Sequence, residues 1–198
     1  MAAVKTVPPE KILELLAAGV REIAENKVQE AESKGQALSQ AQVSRHFIGH
    51  LQRNKAKKAV EIFDVIQSVD SPRLAEALDR AAADLGKKQI CFIEVKISAE
   101  PTKTGIATEE ASGFIKGFSQ YKNLVLKGLM TIAPYDVELN QVRPMYKSFS
   151  RFFAEHRSFL NEAPVLSMGM SDDFEMAIEE GATMVRIGRA LFGERQRQ

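Results

Sequence analysis

The chain has 198 residues at 44% hydrophobic content, enough for one domain with a sizeable core. Its 27 Lys+Arg nearly cancel its 26 Asp+Glu, leaving +1 with neutral His, so no basic field argues for a nucleic-acid partner. One cysteine excludes an internal disulfide, and no apolar run approaches the ~20 residues that span a membrane. With a single Lys and then Pro8-Pro9 at the start there is no signal-peptide pattern, and a cytoplasmic protein is expected.

Short apolar runs alternate with longer amphipathic ones. Ala2–Val4 reads as a strand, and Pro8-Pro9-Glu10 starts a helix through Leu16 that stops at Gly19. Arg21–Ala24 is a weak second strand, followed by a helix from about Val28. His46–Gly49 is a third strand, Asn54–Phe63 a helix, and Val65–Val69 a fourth strand. Ser71-Pro72 launches a helix to Leu85. Ile90–Ile97 is the clearest strand, and Cys91 within it reads as a buried structural thiol. Thr108–Tyr121 is helical, Val125–Ile132 a sixth strand, and Glu138–Leu160 mostly helical, with Phe149, Phe152 and Phe153 as core packing.

The segment Val165–Gly193 is the richest. A strand, Val165–Met168, ends in Gly169-Met170-Ser171, where Ser171 is a natural N-cap and Asp172 and Asp173 suit the first turn of a helix through Glu180. After Gly181 comes the strand Met184–Ile187, and Gly188 opens the backbone directly behind it. Two consecutive strands ending in small-residue turns offer N–H groups that can wrap an anion.

Eight strands, all but the last followed by a helix, predict a parallel TIM (β/α)8 barrel over residues 1–198, with a doubly wound open sheet as the alternative. No helix precedes the first strand or follows the eighth, so the wall between them should be bare. A monomer is expected, with dimerisation through that wall as the other course.

In such barrels chemistry gathers at the C-terminal strand ends, and phosphate is often held after strands seven and eight. Lys5 ends the first strand. A partly desolvated lysine facing a phosphate cup is what pyridoxal 5′-phosphate (PLP) needs, with a Schiff base at one end and an anion site at the other. On location alone, a solvated loop lysine before Pro8 is the better reading of position 5. His46 and His50 lie on one strand face about 13 Å apart, too far to share a metal. Arg53, Lys55, Lys57 and Lys58 read as a solvated face.

The pieces Ala3–Pro8, Glu25-Asn26 with Val28–Glu30, His46–Gln52 with Asn54-Lys55, Gly128–Ile132, Leu166–Phe174 and Val185–Gly193 resemble the pyridoxal phosphate homeostasis protein family. That resemblance implies a PLP-binding barrel of the alanine racemase N-terminal domain type. It implies Lys5 as the Schiff-base lysine, Asn26 near the cofactor ring, and Ser171 with the backbone of Gly188 and Arg189 at the phosphate. It also implies that Arg186 faces the pyridine nitrogen, and a cation there disfavours protonating the ring. Val4 stands where the family usually has Ser or Thr. A one-residue slip on a strand reverses side-chain direction, so the orientation at Lys5 has to come from the fold. The implied function is PLP binding in intracellular vitamin B6 homeostasis, with PLP-dependent apo-enzymes as recipients. The alternative is an amino-acid racemase, for which only Tyr135 of the three tyrosines falls near a strand end as a second base.

Overall fold

A computed structural model describes residues 1–98, 104–134 and 137–193. The strands are β1 (Ala2–Ala3), β2 (Glu22–Glu25), β3 (Ser44–Phe47), β4 (Val65–Val69), β5 (Gln89–Lys96), β6 (Ile106–Ala107), β7 (Leu124–Met130) and β8 (Val165–Ser167). All pairings are parallel, in the order β1-β2-β3-β4-β5-β7-β8, with the two-residue β6 attached beside the end of β5.

Met184–Ile187 takes the eighth barrel position through single bridges rather than a ladder: Ser167 pairs with Met184, and Ile187 with Ala2. Met168 N donates to Met184 O at 3.1 Å, and Ala3 N to Ile187 O at 2.8 Å. These bonds close the sheet on itself. The chain is therefore a parallel barrel and not an open doubly wound sheet.

The helices α1 (Pro9–Ala17), α2 (Val28–Lys34), α3 (Ala56–Ile62), α4 (Pro72–Asp84), α5 (Thr108–Gly117), α6 (Leu139–His156), α7 (Phe174–Glu179) and α8 (Arg189–Phe192) connect or follow the strands. Local signals set their starts. In α4, Ser71 Oγ accepts from Leu74 N at 3.3 Å, and Pro72 occupies the first turn, where its missing N–H costs nothing.

Strand alternation separates two apolar layers. Ile66, Cys91, Ile93, Leu129 and Leu166 pack outward with Leu74, Leu78, Ile115 and Phe149 in the main core. Burial pushes the Cys91 thiol up, as expected of a structural cysteine. Val65, Phe92 and Met130 form a smaller cluster with Met184 on the opposite, barrel side. A third cluster, Ala2, Val4, Val7, Ile12, Ile23 and Leu38, lies between β1, β2 and α1.

Two expectations need correction. Ser171 is not the cap of α7: that helix starts at Phe174 with Asp173 in the capping position, and Ser171 serves other donors. The wall between the last and first strands is also not wholly bare. The single turn α8 follows Gly188 directly, and Phe192 packs against the Ala2–Val4–Ile12 cluster.

Candidate functional site

Lys5 lies just past the end of β1. Ala2 and Val4 are buried in the outer cluster, so alternation assigns Ala3 and then Lys5 to the barrel side. The local backbone is tightly held. Val4 N donates to Ala24 O at 2.9 Å, Val7 N closes a turn onto Val4 O at 3.0 Å, and Thr6 takes a positive φ of 64° within that turn. Val4 O also accepts from Lys34 Nζ at 2.9 Å, and the same ammonium pairs with Glu25 Oε1 at 2.5 Å. Burial raises the Glu25 carboxyl above its ordinary value, against the stabilising charge of Lys34. This buried pair clamps the backbone immediately before Lys5. Asn26, at the end of β2, has a buried Oδ1 with no hydrogen-bond partner among the described residues. Its backbone is pressed by the next strand end: a Cβ on Gly49 would sit 2.1 Å from Asn26 O, so only glycine fits there.

The candidate anion site lies where the loop after β8 meets the start of α8. Gly188 N and Ala190 N both point at Ser171 Oγ, at 3.3 and 3.2 Å. A hydroxyl and two backbone donors thus converge on one spot, the arrangement that wraps a phosphate oxygen. Gly169 makes the loop possible, with φ of 94° and a would-be Cβ only 2.5 Å from Ala177 Cβ. Asp173 then locks it. Its Oδ1 accepts from Met170 N at 2.6 Å, and its Oδ2 from Tyr146 Oη at 2.7 Å, so the pair Asp172-Asp173 does more than complement a helix dipole. Asp172 instead forms an ion pair with the Arg189 side chain. Of the residues expected at the phosphate, Ser171 and Gly188 come together, and Arg189 is neighbour to them through its place in α8. Ala190 was not foreseen; its N–H enters only because α8 begins there.

Arg186 is the buried cation of the barrel interior. Its Nη1 donates to Ser167 Oγ at 2.8 Å and its Nη2 to Thr131 O at 2.7 Å. Glu94, also missed in the sequence reading, is buried nearby and accepts from Thr104 Oγ1 at 2.7 Å. Burial raises its carboxyl, with Asp70 acting in the same direction and Arg186 and His50 opposing. His46 faces the interior while His50 stands beyond the end of β3, where its Nδ1 lies 3.2 Å from Asp70 Oδ2. A cleft of about 730 Å³ opens beside that pair, bounded by Gln52, Arg53, Asn54 and Arg73. Lys58, from the basic run, pairs with Glu32 and Glu61 on the surface.

Two of the tyrosines are engaged. Tyr146 is fully buried against Asp173, and burial holds its phenol firmly protonated. Tyr121 packs among Phe114 and Phe118 in the outer layer. Tyr135 lies outside the described residues.

Lys5 and Gly188 leave the barrel from adjacent strands at the same end, since Ala2 pairs with Ile187. The parallel strands, closed on themselves with helices between them, define the class: a β/α barrel with Lys5 and the Ser171–Gly188 cluster at one mouth. The family model described as "Alanine racemase, N-terminal domain" matches residues 1–196. A pyridoxal phosphate homeostasis protein of Aquifex aeolicus is 42% identical over 197 residues, covering 99% of this chain and 86% of that protein. Two solved structures of PipY from Synechococcus elongatus are similar throughout. The one without PLP has a TM-score of 0.91 at 40% identity, covering 97% of this chain and 91% of that one. The one with PLP bound has 0.88 at 38% identity, covering 98% and 91%. The chain belongs to the alanine racemase N-terminal domain family and, within it, to the pyridoxal phosphate homeostasis proteins.

Proposed function

We propose that this protein binds pyridoxal 5′-phosphate and serves vitamin B6 homeostasis as a carrier, not as a racemase. The observation that carries the reading is the convergence of Ser171 Oγ, Gly188 N and Ala190 N beside the end of β1, where Lys5 stands. Lys5 would hold the cofactor covalently through its amine. The hydroxyl and backbone donors would take the phosphate, and Arg186 would face the pyridine nitrogen. The orphaned Oδ1 of Asn26 is the kind of buried acceptor that a ligand donor satisfies. When bound, the cofactor supplies a reactive aldehyde and an electron sink. A buried guanidinium opposite the ring nitrogen disfavours ring protonation and so blunts the sink. That suits holding and releasing PLP better than turning over amino acids. Racemisation also needs a second base across the substrate, and Tyr146 is committed to Asp173. PLP-dependent apo-enzymes are the natural recipients, and a reducing cytoplasm the natural compartment for a chain with one buried thiol.

The test is an absorption spectrum of the protein incubated with PLP. A band near ~420 nm, absent in Lys5→Ala, supports the reading; no band at saturating PLP contradicts it. Racemase assays separate the two activities, and turnover well above that of free PLP would overturn the carrier assignment.

A further inference from the structure

We infer that Ser167 and Gln67 are positioning residues for Arg186: they form a one-way chain of hydrogen bonds, ending on His46, that fixes the guanidinium inside the barrel. The inference about the cofactor ring rests on the PLP reading above; the chain itself does not.

The direction of every proton follows from the residue types. A guanidinium can only donate, so Ser167 Oγ, 2.8 Å from Arg186 Nη1, accepts there and must send its own proton elsewhere. Gln67 Oε1 lies 2.7 Å away and takes it. That fixes the amide, whose Nε2 then faces His46 Nδ1 at 2.8 Å. An NH₂ group only donates, so Nδ1 presents its lone pair and the imidazole proton sits on Nε2, 3.1 Å from Ser44 Oγ. The second amide proton of Gln67 has Met184 Sδ at 3.2 Å. Flipping Gln67 would turn its NH₂ toward Ser167 Oγ and take away the amide oxygen that accepts the Ser167 proton. The four residues from Arg186 to His46 are each at most 3% exposed, so water is not available to repair such a break. Burial keeps His46 neutral, as the chain requires.

The chain links β3, β4, β8 and the closing segment across the barrel, and Thr131 O at the end of β7 takes the other guanidinium nitrogen. Removing the Ser167 hydroxyl takes that acceptor from Nη1 and loosens the guanidinium, while Thr131 O still receives Nη2. The cation would then be held less firmly opposite the ring nitrogen.

The test compares Ser167→Thr, which keeps the hydroxyl, with Ser167→Val, which matches its shape without it. ¹⁵N NMR of the full chain without cofactor should show His46 in the Nε2–H form, and resolved Arg186 Nη signals in wild type and Ser167→Thr. Those Nη signals should collapse in Ser167→Val and in Gln67→Leu. With ¹⁵N-labelled PLP, the ring-nitrogen signal should move toward its protonated position in Ser167→Val but stay at the wild-type position in Ser167→Thr. An Nδ1–H form of His46 in the wild-type protein overturns the chain, whether or not the variants fold. Wild-type Arg186 and ring-nitrogen signals in Ser167→Val overturn the positioning role. If wild type fails to bind PLP, the reading of the site fails, while the cofactor-free spectra still decide on the chain.

Discussion

At the residue scale, what matters is how few side chains hold the mouth in place and how much burial each one costs. His46 is held neutral by burial, which pushes its imidazole from 6.5 down to about 4. The unfolded chain takes up that proton below pH 6.5, and the folded chain resists it until about pH 4. Stability therefore falls as pH drops through this window, by about 3 kcal/mol from this group. Glu25 and Glu94, raised by burial, act in the opposite sense, so the measurement is the difference in urea stability between wild type and His46→Gln at pH 7 and pH 4.5. The gap should shift toward the variant at the lower pH. Lys34 makes a second such point. Lys34→Met leaves Glu25 buried without its partner and releases Val4 O, and should cost about 3 kcal/mol in denaturant titrations. Residue types alone misled at Ser171. Ser-Asp-Asp before an apolar run is a strong local capping signal, but the hydroxyl is claimed by N–H groups 17 and 19 residues further on. Gln67 and Glu94 carry a readable signal: each stands two residues beyond an inward-facing apolar residue of its strand, Val65 and Phe92, and so shares the inward register.

At the element scale, most strands and helices were legible because their apolar runs are bounded by Gly, Pro and Ser. Two features were not. β6 is two residues long, too short for any periodicity, and exists only because Ile106 and Ala107 lie beside Val95 and Lys96. α8 is a single turn whose start is set by its docking on β1, not by a sequence cap. The loop between β8 and α7 depends on α6 through Tyr146. Tyr146→Phe removes the bond to Asp173 without opening a cavity, and should cost about 1–2 kcal/mol. It should also weaken PLP binding by loosening Met170 and Ser171, as fluorescence titration would show. Ser171→Ala removes the hydroxyl at the centre of the cradle. It should lower PLP affinity about tenfold, or about 1.4 kcal/mol, with little change in melting temperature.

At the scale of the whole molecule, the barrel is closed by single bridges at both edges of Met184–Ile187. Sequence could not show closure, since an open sheet and a barrel share the same β/α alternation; the bonds between Ile187 and the first strand decide it. Closure is also what makes the site. It brings Gly188 next to the end of β1, so that a lysine at residue 5 and a cradle near residue 171 meet at one mouth. Phe192 seals this seam from outside, and Phe192→Ala should lower stability by about 2 kcal/mol. The measurement that bears most directly on the whole reading is borohydride reduction of the PLP-incubated protein, followed by peptide mass mapping. A pyridoxyl group on the peptide containing Lys5, and on no other, is the expected result. Reduction that labels a different lysine at stoichiometric PLP, or none, would contradict it.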